Sequence, residues 1–126
     1  MAEARSVLYQ HIYTAPPGAA ARSGAQAMLL RFNRSDVGPE REEEYNRWYN
    51  YAHLPELLDC PGWLGASRYK ALEGTPRYLA MYDLSGPPAF ESPEFLKARG
   101  WKEMEPYVFG LNNVTYRPIF EGQTRP

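Results

Sequence analysis

The chain has 126 residues, of which 44% are hydrophobic and 23% charged, enough for one soluble globular domain with a core of its own. A formal net charge of -1 and the lack of any Lys/Arg run argue against a nucleic-acid partner, and the apolar runs are too short to cross a bilayer, so no membrane partner is expected. The opening MAEARSVLYQHIY has no basic start leading into a long apolar stretch, so no signal peptide is expected, and the single cysteine, Cys60, allows no intrachain disulfide and fits a cytoplasmic location.

Residues 5–13, RSVLYQHIY, predict a short strand or extended arm, and 14–25, TAPPGAAARSGA, a linker. The arm and linker (1–25) therefore stand apart from a domain spanning 26–126. Residues 26–33, QAMLLRFN, predict the first strand, and 34–41 a turn into a helix. Pro39 suits the first helical turn, and Glu40, Glu42, Glu43 and Glu44 match its dipole. That helix is expected from about Pro39 to about Ala52, with a break or kink before Pro55 and a short piece, PELLD, after it.

Pro61 and Gly62 mark a turn. Residues 63–73 and 77–84, joined through Gly74, Thr75 and Pro76, predict a hairpin. Ser92 and Pro93 open a second helix that Gly100 interrupts. Residues 108–120 predict a last strand, with a bulge at Asn112–Asn113. The order β-α-β-β-α-β is that of an α+β, ferredoxin-like sandwich with an antiparallel sheet. Phe32, Tyr69 and Met81 sit in strands that are apolar on both faces, which gives the chain reason to pair with a second copy through the sheet face left bare by the helices.

In the helix, Tyr45, Trp48, Tyr49 and Ala52 form one apolar stripe, with His53 at its edge. Pro55 crowds the carbonyl of Tyr51, so the helix should loosen near Tyr51–Leu54. These residues carry a resemblance. The helix pattern W-Y-x-x-x-H-x-P-E (Trp48, Tyr49, His53, Pro55, Glu56), the turn Pro61-Gly62-Trp63, Arg68-Tyr69 and the strand Tyr78-Leu79-Ala80-Met81-Tyr82 resemble the dimeric α+β barrel superfamily, most closely its EthD-like branch. The resemblance covers about residues 26–120. It implies a homodimer, a cavity between sheet and helices, and a polar residue near the end of the first helix facing that cavity, here His53.

Histidine suits proton transfer near neutral pH. Tyr49 or Tyr69 is placed to orient a carbonyl or donate to an enolate, Arg31 or Arg68 to hold a carboxylate or phenolate, and Asp83 to orient His53 or act as a second acid/base. Tyr45, Trp48 and Trp63 supply aromatic wall for a substrate. Strand parity sends Arg68 and Tyr69 to opposite faces. A structural histidine at a helix break is the competing reading of His53, and core packing that of the aromatic stripe. No metal is expected, because two histidines and one cysteine show no ligand spacing, and no nucleotide or nucleophile-elbow motif occurs.

The expected function is a cofactor-free isomerase, cyclase or lyase acting on a small aromatic, lactone or polyketide-like substrate. Its alternatives are a cofactor-free or haem-dependent monooxygenase on the same fold and a non-catalytic small-molecule-binding dimer.

Overall fold

A computed structural model describes residues 8–16 and 28–119. Five strands form one antiparallel sheet: β1 (Tyr9–Ala15), β2 (Leu29–Val37), β3 (Trp63–Ala71), β4 (Tyr78–Leu84) and β5 (Val108–Tyr116), in the order β1-β3-β4-β2-β5. The last four strands in that order are the ferredoxin-like arrangement, and β1 extends it by pairing antiparallel to β3 from Tyr9↔Ala71 to Ala15↔Ala66. The stretch read as an arm thus contributes an edge strand, while most of the linker read over 14–25 lies outside the described residues.

The helices α1 (Glu42–Trp48), α2 (Leu54–Leu58) and α3 (Pro93–Ala98) cover one face of the sheet. No helix among the described residues is long and apolar enough to cross a membrane. Alternation along the strands decides what each face carries. Tyr78, Ala80, Tyr82 and Leu84 of β4 are buried with Tyr45, Tyr49, Leu54 and Leu57 from the helical layer. The intervening Leu79 shares the other face with Leu30, Phe32, Val114 and Tyr116 around an open hollow of about 530 Å³.

Strand β2 runs on to Val37 through what reads in sequence as a turn. Asp36 explains the extension: its carboxylate accepts from the backbone N–H of Arg77 at 3.1 Å and from the Arg77 guanidinium at 2.7 Å, holding β2 to the start of β4. The guanidinium also pairs with Glu42 at 3.0 Å, which ties α1 to the same corner. The bulge expected at Asn112–Asn113 lies instead at Gly110–Leu111, where β5 has one residue more than β2 between the pairs Arg34↔Asn112 and Asp36↔Phe109. Gly110 has φ +70, which only glycine adopts freely, so the kink falls there and both asparagines pair regularly.

The chain does not break before Pro55; the loosening expected near Tyr51–Leu54 takes the form of a widened helical turn. Between α1 and α2 the chain makes one π-helical turn, Tyr49–His53, in which the Leu54 N–H donates to the Tyr49 carbonyl. Pro55 then sits in the first turn of α2, where its missing N–H is tolerated. A π-turn holds one more residue per turn than an α-turn and so delays the apolar stripe by about a residue. Ala52, expected inside, is exposed, and His53 is rotated inward in its place.

Candidate active site

A cleft of about 360 Å³ opens between the helix-facing side of β2 and β5 and the segments around α3. Its floor is built by strand register. Arg31 lies between Tyr82 on β4 and Thr115 on β5, and Asn33 lies opposite Asn113. Arg31 donates to the Thr115 hydroxyl at 3.3 Å, and the Phe90 ring covers its guanidinium at 5.1 Å. The far wall comes from α3 and the turn after it. The Ser92 hydroxyl accepts from the Phe95 N–H and starts α3. Gly100, at φ +100, lets the chain reverse so that Trp101 returns to the core. A recess of about 60 Å³ shares Arg31, Asn33 and His53 with the cleft and reaches Trp63 and Tyr82.

His53 closes the inner end. Its ring stacks on Trp48 at 4.6 Å and on Trp101 at 6.2 Å, with the Tyr49 ring edge-on at 5.3 Å. Only 7% of the residue is exposed, and its Nδ1 is buried with no hydrogen-bond partner among the described residues. Burial, reinforced by the charges of Lys102 and Arg68, pushes its pKa down to about 4. The imidazole is therefore neutral at physiological pH and able to accept a proton.

The other candidate residues separate into three groups. Arg31 and Trp63 share the recess with His53; Trp63 also stacks on Phe95 at 5.0 Å and donates its indole N–H to the Ala89 carbonyl at 2.9 Å. Tyr45, Trp48, Tyr49 and Arg68 lie behind the cleft. The Tyr45 hydroxyl is 2.5 Å from the Ser35 hydroxyl in the core, and Trp48 backs the His53 ring. The Tyr49 hydroxyl is 2.8 Å from that of Tyr82, so Tyr82 is the one that lines the recess. Arg68 is fully buried; its guanidinium lies 4.2 Å from the centre of the Tyr49 ring and donates to the Asn50 side-chain oxygen at 2.8 Å.

Asp83 and Tyr69 fall on the opposite face of the sheet. Asp83 follows the cleft-facing Tyr82 and lies opposite Leu30, and Tyr69 lies opposite Leu79; Leu30 and Leu79 both line the open hollow. Asp83 therefore does not orient His53; among the described residues the rings of Trp48, Tyr49 and Trp101 hold the imidazole. Arg68 faces the helices as parity requires, but the rings of Tyr45, Tyr49 and Tyr78 enclose it away from the cleft.

Asn33, Asn113, Tyr82, Phe90, Arg99 and Trp101 belong to the cleft and its recess without having been singled out in sequence. The i, i+2 series Tyr78, Ala80, Tyr82 was the signal for Tyr82, and the paired asparagines, unusual inside a strand, were that for Asn113. Burial raises the pKa of Tyr49 and pushes that of Tyr82 up to about 12, so both hydroxyls stay protonated and serve as donors rather than bases. Among the described residues no group of three His, Cys, Asp or Glu side chains could hold a metal ion.

No protein-family profile matches the chain, and no curated protein matches it in sequence. Solved structures do share its fold. A major regulator of staphylococcal pathogenesis superposes with a TM-score of 0.64 at 12% identity, over 95% of this chain and 76% of that one. An anthrone oxidase-like protein gives 0.60 at 14%, over 89% and 54%, and a candidate monooxygenase of Fusobacterium nucleatum gives 0.56 at 9%, over 73% and 43%. The chain thus spans about half the length of the latter two. The class so defined is the α+β, ferredoxin-like fold with an antiparallel sheet. At these identities the likeness concerns the fold and not the reaction.

Proposed function

We propose that the chain is a small-molecule enzyme in which neutral His53 takes a proton from a flat, enolisable or phenolic substrate. The observation that carries this reading is the uncharged imidazole, with an unpartnered Nδ1, in the wall of an aromatic cleft. The proton passes from substrate carbon or oxygen to the imidazole, and the electron pair stays behind as an enolate or phenolate. Arg31 and the Tyr82 hydroxyl are placed to stabilise the developing oxygen charge. Return of the proton to another atom, ring closure or loss of a leaving group completes an isomerase, cyclase or lyase reaction with no cofactor.

A second reading is favoured by the fold shared with an anthrone oxidase-like protein and a candidate monooxygenase. There the same enolate carbon passes electrons to dioxygen, is oxidised to a carbonyl, and water leaves. Membership of the EthD-like branch rests on the helix motif around His53, and a cytoplasmic location rests on the single Cys60. Pairing of two copies through the open sheet face is supported by the half-buried and exposed apolar side chains there, Phe32, Val114 and Tyr116 among them. Phe32→Glu should then convert a dimer to a monomer by native mass spectrometry.

The test is a screen of enolisable aromatics, anthrone included, followed by absorbance and by an oxygen electrode, with His53→Gln as control. Loss of about a hundred- to ten-thousand-fold in kcat is expected for His53→Gln. Oxygen uptake matching turnover selects the oxygenase, and turnover without it the isomerase class. Full activity in His53→Gln removes the acid/base role, and a ligand bound but returned unchanged makes the chain a binding protein.

A further inference from the structure

The charge of the cleft bears on what the substrate carries besides its ring. The chain as a whole is nearly balanced, with 14 Lys and Arg against 15 Asp and Glu. The cleft is not. Its polar lining is Arg31, Asn33, His53, Arg99 and Asn113, without a carboxylate. Among the described residues the ion pairs engage Arg41, Arg47, Lys70 and Arg77, and neither Arg31 nor Arg99 has an acidic partner within 4 Å. His53 adds no positive charge at neutral pH, so the charges in the lining of the cleft are those of the two arginines.

Arg31 is the more telling of the pair. A guanidinium carries five N–H donors, and among the described residues this one bonds only the Thr115 hydroxyl, at 3.3 Å. It is partly desolvated beneath Phe90, and its burial lowers its pKa. A half-buried cation without a counter-ion costs free energy unless a ligand supplies the charge. The side-chain oxygen of Asn33 is likewise buried without a partner and faces Asn113 across the strands. Two amides beside two guanidinium groups suit a carboxylate with an adjacent hydroxyl, which can donate to the unpartnered Asn33 oxygen, while Phe90, Phe95 and Trp101 suit the ring that bears it.

We infer that the substrate is a planar aromatic anion, an ortho-hydroxy aryl carboxylate, whose carboxylate is held by Arg31 and Arg99 and whose neighbouring hydroxyl meets Asn33 and Asn113. This rests on the cleft being the substrate site, as proposed above, but not on His53 acting as a base.

The experiment is a binding titration, read by tryptophan fluorescence and by calorimetry, with 1-hydroxy-2-naphthoate and its neutral amide as probes. The wild-type protein should favour the acid by at least about tenfold, the range expected for charge-assisted hydrogen bonds, and the preference should shrink with added salt. Arg99→Gln, at an exposed position that the fold does not need, and Arg31→Gln should each reduce the preference, and the double variant should abolish it. His53→Gln should keep it, so loss of turnover with retained acid preference separates this inference from the catalytic one. Equal binding of acid and amide, binding of neither, or an unchanged preference in Arg99→Gln overturns it.

Discussion

Replacing His53 by Phe should remove a pH-dependent part of the stability. The folded imidazole has a pKa of about 4, against 6.5 for a free one, chiefly because burial between Trp48 and Trp101 disfavours its charged form. Between those two values the unfolded chain binds a proton that the folded chain refuses. Stability is therefore full above pH 6.5, falls as the pH drops, and levels off below pH 4. The whole shift corresponds to about 3 kcal/mol at ~1.4 kcal/mol per pKa unit, and about 2 kcal/mol of it is lost by pH 5. Phe keeps a ring in the stack and cannot titrate. Urea unfolding at pH 7.5 and pH 5.0 should show the wild type losing about 2 kcal/mol more than His53→Phe between the two conditions. Glu42, whose hydrogen bond from Tyr78 and pairing with Lys70 and Arg77 hold its pKa at about 2, titrates at lower pH and is present in both proteins, so it cancels. Equal losses in the two proteins would refute the depressed pKa.

Arg68→Met should raise the pKa of His53, read from the imidazole proton shifts by NMR, because the Arg68 charge helps to lower it; no movement would mean the guanidinium is screened from the cleft. Gly62→Ala should destabilise by about 2 kcal/mol or more in thermal unfolding, since Gly62 has φ +86 and a Cβ there would lie 2.9 Å from the Ser85 hydroxyl and 3.0 Å from the Ala89 Cβ. Glu42→Gln should cost about 1 kcal/mol at neutral pH, allowing for solvent screening, and little near pH 2, because the carboxylate contributes above its unfolded pKa and its contribution fades as it protonates. Urea midpoints at the two pH values check this.

The ferredoxin-like order was legible because its signals are local. Pro39 with the run of glutamates, Ser92–Pro93 and the Gly74 connection each mark an element boundary through backbone chemistry that one short segment carries. The edge strand β1 was harder, since Tyr9–Ala15 is a strand only by virtue of β3, more than fifty residues away. The cleft was legible in part. His53 and Arg31 stand out by residue type, whereas Asn33, Arg99 and Trp101 meet them only through strand register and the reversal at Gly100. Asp83 misled because its chemistry suited His53 while its parity did not, and parity is known only once the neighbouring Tyr82 is placed. The π-turn had no sequence signature beyond Pro55, because it is a choice of hydrogen-bond register and not of residue type.

That turn also sets backbone regularity against the direction in which His53 points. Closing the same residues, Tyr49 to Leu54, in ordinary α-register would recover tighter backbone geometry. It would also restore the unshifted stripe and turn the imidazole toward its edge, away from the cleft. The chain thus keeps a locally inferior helix, and the register of its hydrogen bonds aims the histidine.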